Sequence, residues 1–168
     1  MSDDWKHQID MEAYRVAREA RNLEINLFWQ RSNYFLVLST GIGAALFALK
    51  DTKYSVLLAI FGIAVGCLWL VTNLGSKFWQ SRWEYRLRLA EQTLQPNLDL
   101  HSASWQTVQD DVQRSLSFRK RGRLHSFYGR LVMMKPSVSL MMTLLSLLFI
   151  VFWCAVLAVT FVGTGYTG

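Results

Sequence analysis

Few residues of this 168-residue chain have a type and spacing suited to catalysis. The three histidines, His7, His101 and His125, fall in separate segments, and no second metal ligand lies near any of them. Cys67 and Cys154 both lie in apolar stretches, where a cysteine usually packs as a small apolar side chain. The sequence has no glycine-rich phosphate loop and no HExxH, CxxC or GxSxG motif. We therefore predict that the protein is not an enzyme and binds no cofactor or metal.

The nearest approach to a pair of catalytic acids is Glu84 and Glu91, which share one face of a predicted helix. Arg88 lies between them, four residues after Glu84. Charges that alternate at helical spacing are typical of solvent-exposed ion pairs. We therefore predict that both glutamates lie on a solvated helix surface.

The apolar residues, which make up 52% of the chain, are concentrated in three stretches. These run at about 27–49, 54–75 and 137–163, and the second and third contain no charged residue. At 1.5 Å per helical residue, each is long enough to cross a hydrocarbon core of about 30 Å. The pattern predicts an all-α integral membrane protein with three transmembrane helices, the first two of which extend into the cytoplasm.

Lysine and arginine predict the direction of these spans. The segment from Lys77 to Lys135 holds eleven basic residues against five acids, which accounts for the net charge of +6. The prediction is a bacterial inner-membrane protein whose N-terminus is cytoplasmic and whose C-terminus faces outward. Since topology explains the charge, a nucleic-acid partner is not favoured. Four segments follow: a cytoplasmic amphipathic helix (1–26), a transmembrane hairpin (27–75), a cytoplasmic helical segment with a basic juxtamembrane run (76–136), and a third transmembrane helix with a short outward tail (137–168).

The N-terminal helix carries a narrow apolar stripe of heptad type, formed by Ile9, Val16 and Leu23. Neither proline nor glycine separates this helix from the first span, so one continuous helix is expected. The stripe packs either on its own chain or against neighbouring subunits, and the sequence leaves both open.

Small residues in the first two spans indicate close helix packing. Gly62 and Gly66 form a GxxxG motif in the second span, and Gly43 lies on a small-residue face of the first. These glycines are predicted to pack helices within the hairpin or between subunits. The third span is bulkier, with residues such as Phe152 and Trp153, and is interpreted as lipid-facing or peripheral.

Arg31 lies near the inner end of the first span, where a long cation can reach lipid headgroups. Glu24 lies seven residues before Arg31, which is expected to be too far for an easy direct pair. An alternative is that Arg31 lines a pore together with Gln30, Asn33 and Asn73. A basic run before the third span is also predicted to attract anionic lipids, at about 1 kcal/mol per residue. Its members are Arg119, Lys120, Arg121, Arg123 and Arg130.

The segment after the second span is predicted to remain helical to about Gln95, where Pro96 ends the helix. Ser104 is a suitable N-cap for a short helix that reaches about Phe118. That helix would carry Trp105, Val108, Val112 and Leu116 on one side.

Three short segments carry a resemblance to a known family. They are residues 27–35 (LFWQRSNYF) at the start of the first span, residues 79–88 after the second, and the basic run before the third. In these segments the chain resembles the RipA family of small bacterial inner-membrane proteins. The resemblance implies a homo-oligomer, described for the family as an octamer, and brings no catalytic residues.

Three hypotheses for function follow. The first is a homo-oligomeric membrane scaffold or regulatory protein that assembles through its cytoplasmic helices and its small transmembrane residues. The second is a ligand-gated, pore-forming or membrane-disrupting effector. The third is an accessory subunit of a larger membrane complex.

Overall fold

The computed structural model describes residues 3–49, 52–94, 100–117, 132–133 and 137–165. Over these residues the protein is all-helical, as predicted. Its helices are α1 (Asp3–Ala48), α2 (Thr52–Leu94), α3 (Trp105–Ser117) and α4 (Val138–Gly165).

Helix α1 is continuous over 46 residues, which confirms the prediction that no break separates the amphipathic segment from the first apolar stretch. Helix α2 runs for 43 residues and is described to Leu94, just before Pro96. A proline disfavours helical backbone at the residue before it, so a helix ends there readily. Helix α1 ends at Ala48 and α2 begins at Thr52.

Helix α3 begins at Trp105, directly after the predicted N-cap residue Ser104. The Ser104 hydroxyl accepts a hydrogen bond from the Thr107 backbone N–H at 3.1 Å, and the Ser104 carbonyl accepts one from Val108 N–H at 3.1 Å. A capping side chain satisfies an N–H group that has no partner within the helix. The predicted N-cap is therefore confirmed.

Two helices are long and apolar enough to cross a membrane, namely α2 from Lys53 onward and α4 from Val138 to Val162. The first predicted span, 27–49, is helical up to Ala48 as part of α1, but it is not among these two candidate spans. The physical reason lies in its first turns, where Gln30, Arg31, Ser32 and Asn33 follow one another and lower the mean hydropathy.

The chain divides into two compact units. Unit 1 comprises Met1–Asn22 and Ser81–Ser137, and unit 2 comprises Leu23–Gln80 and Val138–Gly168. The apolar core of unit 2 is built from side chains of α1, α2 and α4, and includes Ile42, Ala59, Val65 and Trp153. These three helices therefore position every polar group discussed below for unit 2.

Candidate functional site

The GxxxG motif of α2 packs against α4 of the same chain. A Cβ atom added at Gly62 would lie 2.5 Å from Trp153 Cε2, and one added at Gly66 would lie 2.7 Å from Ile150 Cγ1. Trp153 is only 1% exposed. The prediction that this bulky residue faces lipid is therefore wrong. Trp153 is buried because the two glycines leave α2 without side chains where α4 approaches. A Cβ at Gly43 would meet nothing within 4 Å, so that face of α1 is open.

Trp69 joins the three helices of unit 2 at one level. Its ring stacks on Phe35 of α1, with centroids 5.9 Å apart and planes at 9°, and lies 5.7 Å from the ring of Phe149 on α4. Offset and tilted ring pairs contribute beyond the area that they bury. The sequence analysis did not single out Trp69, because a tryptophan in an apolar stretch has no local signal that distinguishes core from lipid.

A row of buried polar residues runs along α2 beyond Trp69. Asn73, Ser76 and Gln80 recur at spacings of three and four residues, which place them on one helix face. Asn73 Nδ2 donates to the Met142 carbonyl of α4 at 3.1 Å, and Ser139 Oγ donates to Gln80 Oε1 at 3.4 Å. We call this row, with its partners on α1 and α4, the polar seam. In an apolar environment such bonds fix the register between helices.

Arg31 belongs to the polar seam. Its Nη1 donates to Ser76 Oγ at 3.0 Å and lies 3.9 Å from Glu24 Oε2. The expectation that Glu24 is too distant for a direct pair is therefore wrong. Seven residues are close to two full helical turns, so the two side chains lie above one another, and both are long enough to meet.

The four predicted pore-lining residues do not meet within one chain. Asn73 is 2% exposed and bonded to α4, and Arg31 is half-buried against Ser76. Gln30 and Asn33 are exposed on other faces of α1. A common polar lining would therefore have to come from the contact of several copies.

Glu24, which approaches Arg31 of the polar seam, is one of several residues of unit 2 that have an unsatisfied buried atom. Among the residues that the structure describes, three buried side-chain atoms have no hydrogen-bond partner: Glu24 Oε2, Ser32 Oγ and Trp69 Nε1. Buried polar atoms of this kind commonly bind internal water. The hydrogen bonds of the seam therefore distinguish it from an ordinary apolar helix interface.

We expect Asn73→Leu to lower the unfolding free energy by about 0.6–1.7 kcal/mol, the range for hydrogen bonds between membrane helices. Asn33→Leu is the matched control, because Asn33 is exposed on α1. Thermal unfolding in detergent measures both variants. Equal midpoints for the two variants would show that the Asn73 bond contributes nothing.

Unit 1 contains a buried carboxylate that the sequence analysis placed on the surface. Glu91 is 1% exposed, and its two oxygens accept hydrogen bonds from the backbone N–H groups of Leu100, His101 and Ser102, each at 2.7 Å. The predicted solvated ion-pair ladder is therefore wrong for Glu91, while Glu84 and Arg88 are exposed. Glu91 is buried because residues 100–102 lie against it and direct three backbone N–H groups at its carboxylate.

These donors also affect the pKa of the Glu91 carboxyl. Glu91 lies well beyond the apolar stretch 54–75. Burial raises the pKa of the carboxyl, but the three backbone hydrogen bonds lower it, and the net pKa lies below the ordinary value of 4.5. His101 lies in the loop at 100–102, is half-buried, and has its ring 6.4 Å from the Tyr14 ring. Glu91 therefore fastens the loop at 100–102 to α2.

The predicted assembly stripe on α1 is exposed in the single chain. Ile9, Val16 and Leu23 are 44%, 48% and 58% exposed. Ile9 and Val16 border a groove of about 530 Å³ in unit 1, which we call the α1–α2 groove and whose α2 side includes Trp83 and Leu89. The five residues of the predicted headgroup run, Arg119 to Arg130, lie outside the described residues.

The fold and the site together define a helical membrane protein. The chain matches the octameric membrane protein family (8xMP) over residues 11–162 and belongs to that family. No curated protein and no solved structure matches it. The family is described as octameric and membrane-bound, which agrees with what the resemblance implied. The narrower RipA assignment stays a prediction.

Proposed function

We propose that the protein is a homo-octameric scaffold or regulatory protein of the bacterial inner membrane, with no catalytic step of its own. The observation that carries the proposal is the exposed stripe of Ile9, Val16 and Leu23. Ile9 and Val16 lie on a part of α1 that is rich in charged residues, where a solitary chain would leave them in water. Membership of an octameric family makes further copies of the chain the natural cover for this stripe.

The proposed topology has three spans, with α1 crossing at 27–49. Its support is the packing of this stretch with the two apolar helices: Phe35 stacks on Trp69, and Arg31 bonds to Ser76. An odd number of spans places the termini on opposite sides. The excess of basic residues between Lys77 and Lys135 supports a cytoplasmic N-terminus. Anionic lipids are the proposed partners of that basic segment.

Two measurements on the full chain in native lipid test this proposal. The particle mass is expected to equal eight chains with no foreign subunit, and a stoichiometric foreign partner would favour the accessory-subunit hypothesis instead. In a variant with Cys67 and Cys154 replaced by serine, an impermeant maleimide applied outside intact cells should label Lys53→Cys but not His7→Cys. Labelling of His7→Cys would overturn the topology. Ion flux through the reconstituted octamer would indicate the pore hypothesis.

A further inference from the structure

An octamer of a membrane protein is constrained in its symmetry. Because basic residues give every copy the same orientation, copies are related only by rotation about an axis normal to the membrane. A closed ring of this kind joins its copies head to tail, and each copy presents two different, mutually complementary faces. Each copy in the proposed octamer must therefore present a pair of such faces, and the inference below rests on that octamer.

The first face is the α1–α2 groove. Ile9 and Val16 form its α1 border, Trp83 and Leu89 belong to its α2 side, and Ala17 and Ala90 keep it open because their side chains are small. Both α1 border residues are about half exposed. The groove is thus lined mostly by apolar side chains, partly solvated, and large enough to receive a protruding side chain.

The second face lies on nearly the opposite side of α1. Met11 follows Ile9 by two residues and so projects about 200° away from it around the helix. Met11 is 51% exposed and lies on a surface shared with His7, Tyr14 and Arg18. A ring places the two neighbours of each copy on different sides of it, and the Met11 face and the groove lie on different sides of α1. Methionine is also a side chain that adapts to irregular apolar gaps.

The charges of the two faces are complementary. The groove includes Asp10 and one opposing cation, Arg86, the Met11 face carries Arg15 and Arg18, and Glu12 borders both faces. Glu12 and Arg15 are already paired, at 2.7 Å, across the boundary between the faces. Arg18 of one copy and Asp10 of the next are therefore the pair that a head-to-tail contact would bring together. Complementary charge of this kind fixes orientation more than it adds affinity.

We infer that the Met11 face of one copy docks into the α1–α2 groove of the next copy, and that this contact closes the ring outside the apolar stretches. The occupant of the groove is thus a second copy of this chain, held by Met11 among Ile9, Val16, Trp83 and Leu89.

Disulfide crosslinking of the full chain in native lipid tests the contact. In the background lacking Cys67 and Cys154, Val16→Cys and Met11→Cys are made singly and together. Within one chain these positions cannot bond, because they are about 7.5 Å apart along the helix axis and on opposite sides. Mild oxidation of the double variant should give a ladder that extends to the mass of the intact particle. Each single variant should give no crosslinked chains. Co-expressed single variants should give crosslinked dimers only.

The control pairs Met11→Cys with Tyr85→Cys, an exposed position on α2 that does not line the groove, and should give no ladder. If Val16→Cys lowers the particle mass before oxidation, Leu89→Cys takes its place. Dimers from Val16→Cys alone would overturn the inference, since they indicate a two-fold contact. An intact eight-chain particle without crosslinks would also overturn it while leaving the proposed octamer in place. A particle of a single chain would instead refute the octamer.

Discussion

Gly62→Ala is expected to destabilise the chain by about 3 kcal/mol, at the upper end of the usual range for overpacking a core. The added Cβ would lie 2.5–2.6 Å from Cε2 and Cγ of Trp153. Atoms at that distance overlap, and the rigid indole ring is 1% exposed, with no space into which it can turn. Helix α4 must therefore move away from α2, and the contacts of Trp69 with Phe149 and of Asn73 with Met142 loosen with it.

Gly75→Ala is the matched control on the same helix, because a Cβ there meets nothing within 4 Å. Alanine is the better helix former by about 1 kcal/mol, so the control should be neutral or slightly stabilising. Thermal unfolding in detergent gives the two midpoints. A second measurement, the double variant Gly62→Ala with Trp153→Leu, should lose less stability than the sum of its single variants. Strict additivity would mean that the two residues are not in contact.

Glu91→Gln is expected to release the loop at 100–102 and to lower the unfolding free energy of unit 1 by about 3 kcal/mol or more. The amide keeps one carbonyl oxygen but loses the charge and the second acceptor. At least one of the three N–H donors at 100–102 is then left unsatisfied, at about 1–3 kcal/mol each, and the remaining bonds lose their charge. Hydrogen exchange at the amides of Leu100, His101 and Ser102 measures this directly, and all three should exchange faster in the variant.

The same residue predicts a pH dependence. The pKa of Glu91 is lower in the folded chain than its ordinary value of 4.5, so the folded state favours the ionised carboxylate. Its contribution to stability is complete above pH 4.5 and is lost as pH falls from that value through the lowered pKa of the folded state. The difference in stability between the wild type and Glu91→Gln should therefore shrink in acid. Glu84→Gln, on the exposed face of α2, is the control and should alter neither amide exchange nor acid stability. A difference that stays constant with pH would contradict the proposed role of the charge.

Local features of this fold could be predicted because their causes lie within a few residues. The continuity of α1 follows from the absence of proline and glycine in its first 38 residues, and the start of α3 follows from the Ser104 cap. The stripe of Ile9, Val16 and Leu23 follows from heptad spacing. The sequence did not reveal whether the stripe is covered within the chain, and the structure leaves all three residues exposed.

The sequence alone thus determined a helical chain with apolar stretches separated by charged segments, and it excluded the familiar catalytic motifs. Tertiary structure alone decided where Trp153 and Glu91 lie. Trp153 has the type expected at a lipid surface, but the bare backbone at Gly62 opens a space for it on the neighbouring helix. Glu91 has the spacing of a surface ion pair, but three backbone donors that follow it in the chain enclose it. In both cases the residues that cause the burial lie far from the buried residue's own helical turns. Sequence periodicity describes only neighbours within those turns. Burial depends on such distant partners, and for this reason only the folded chain reveals it.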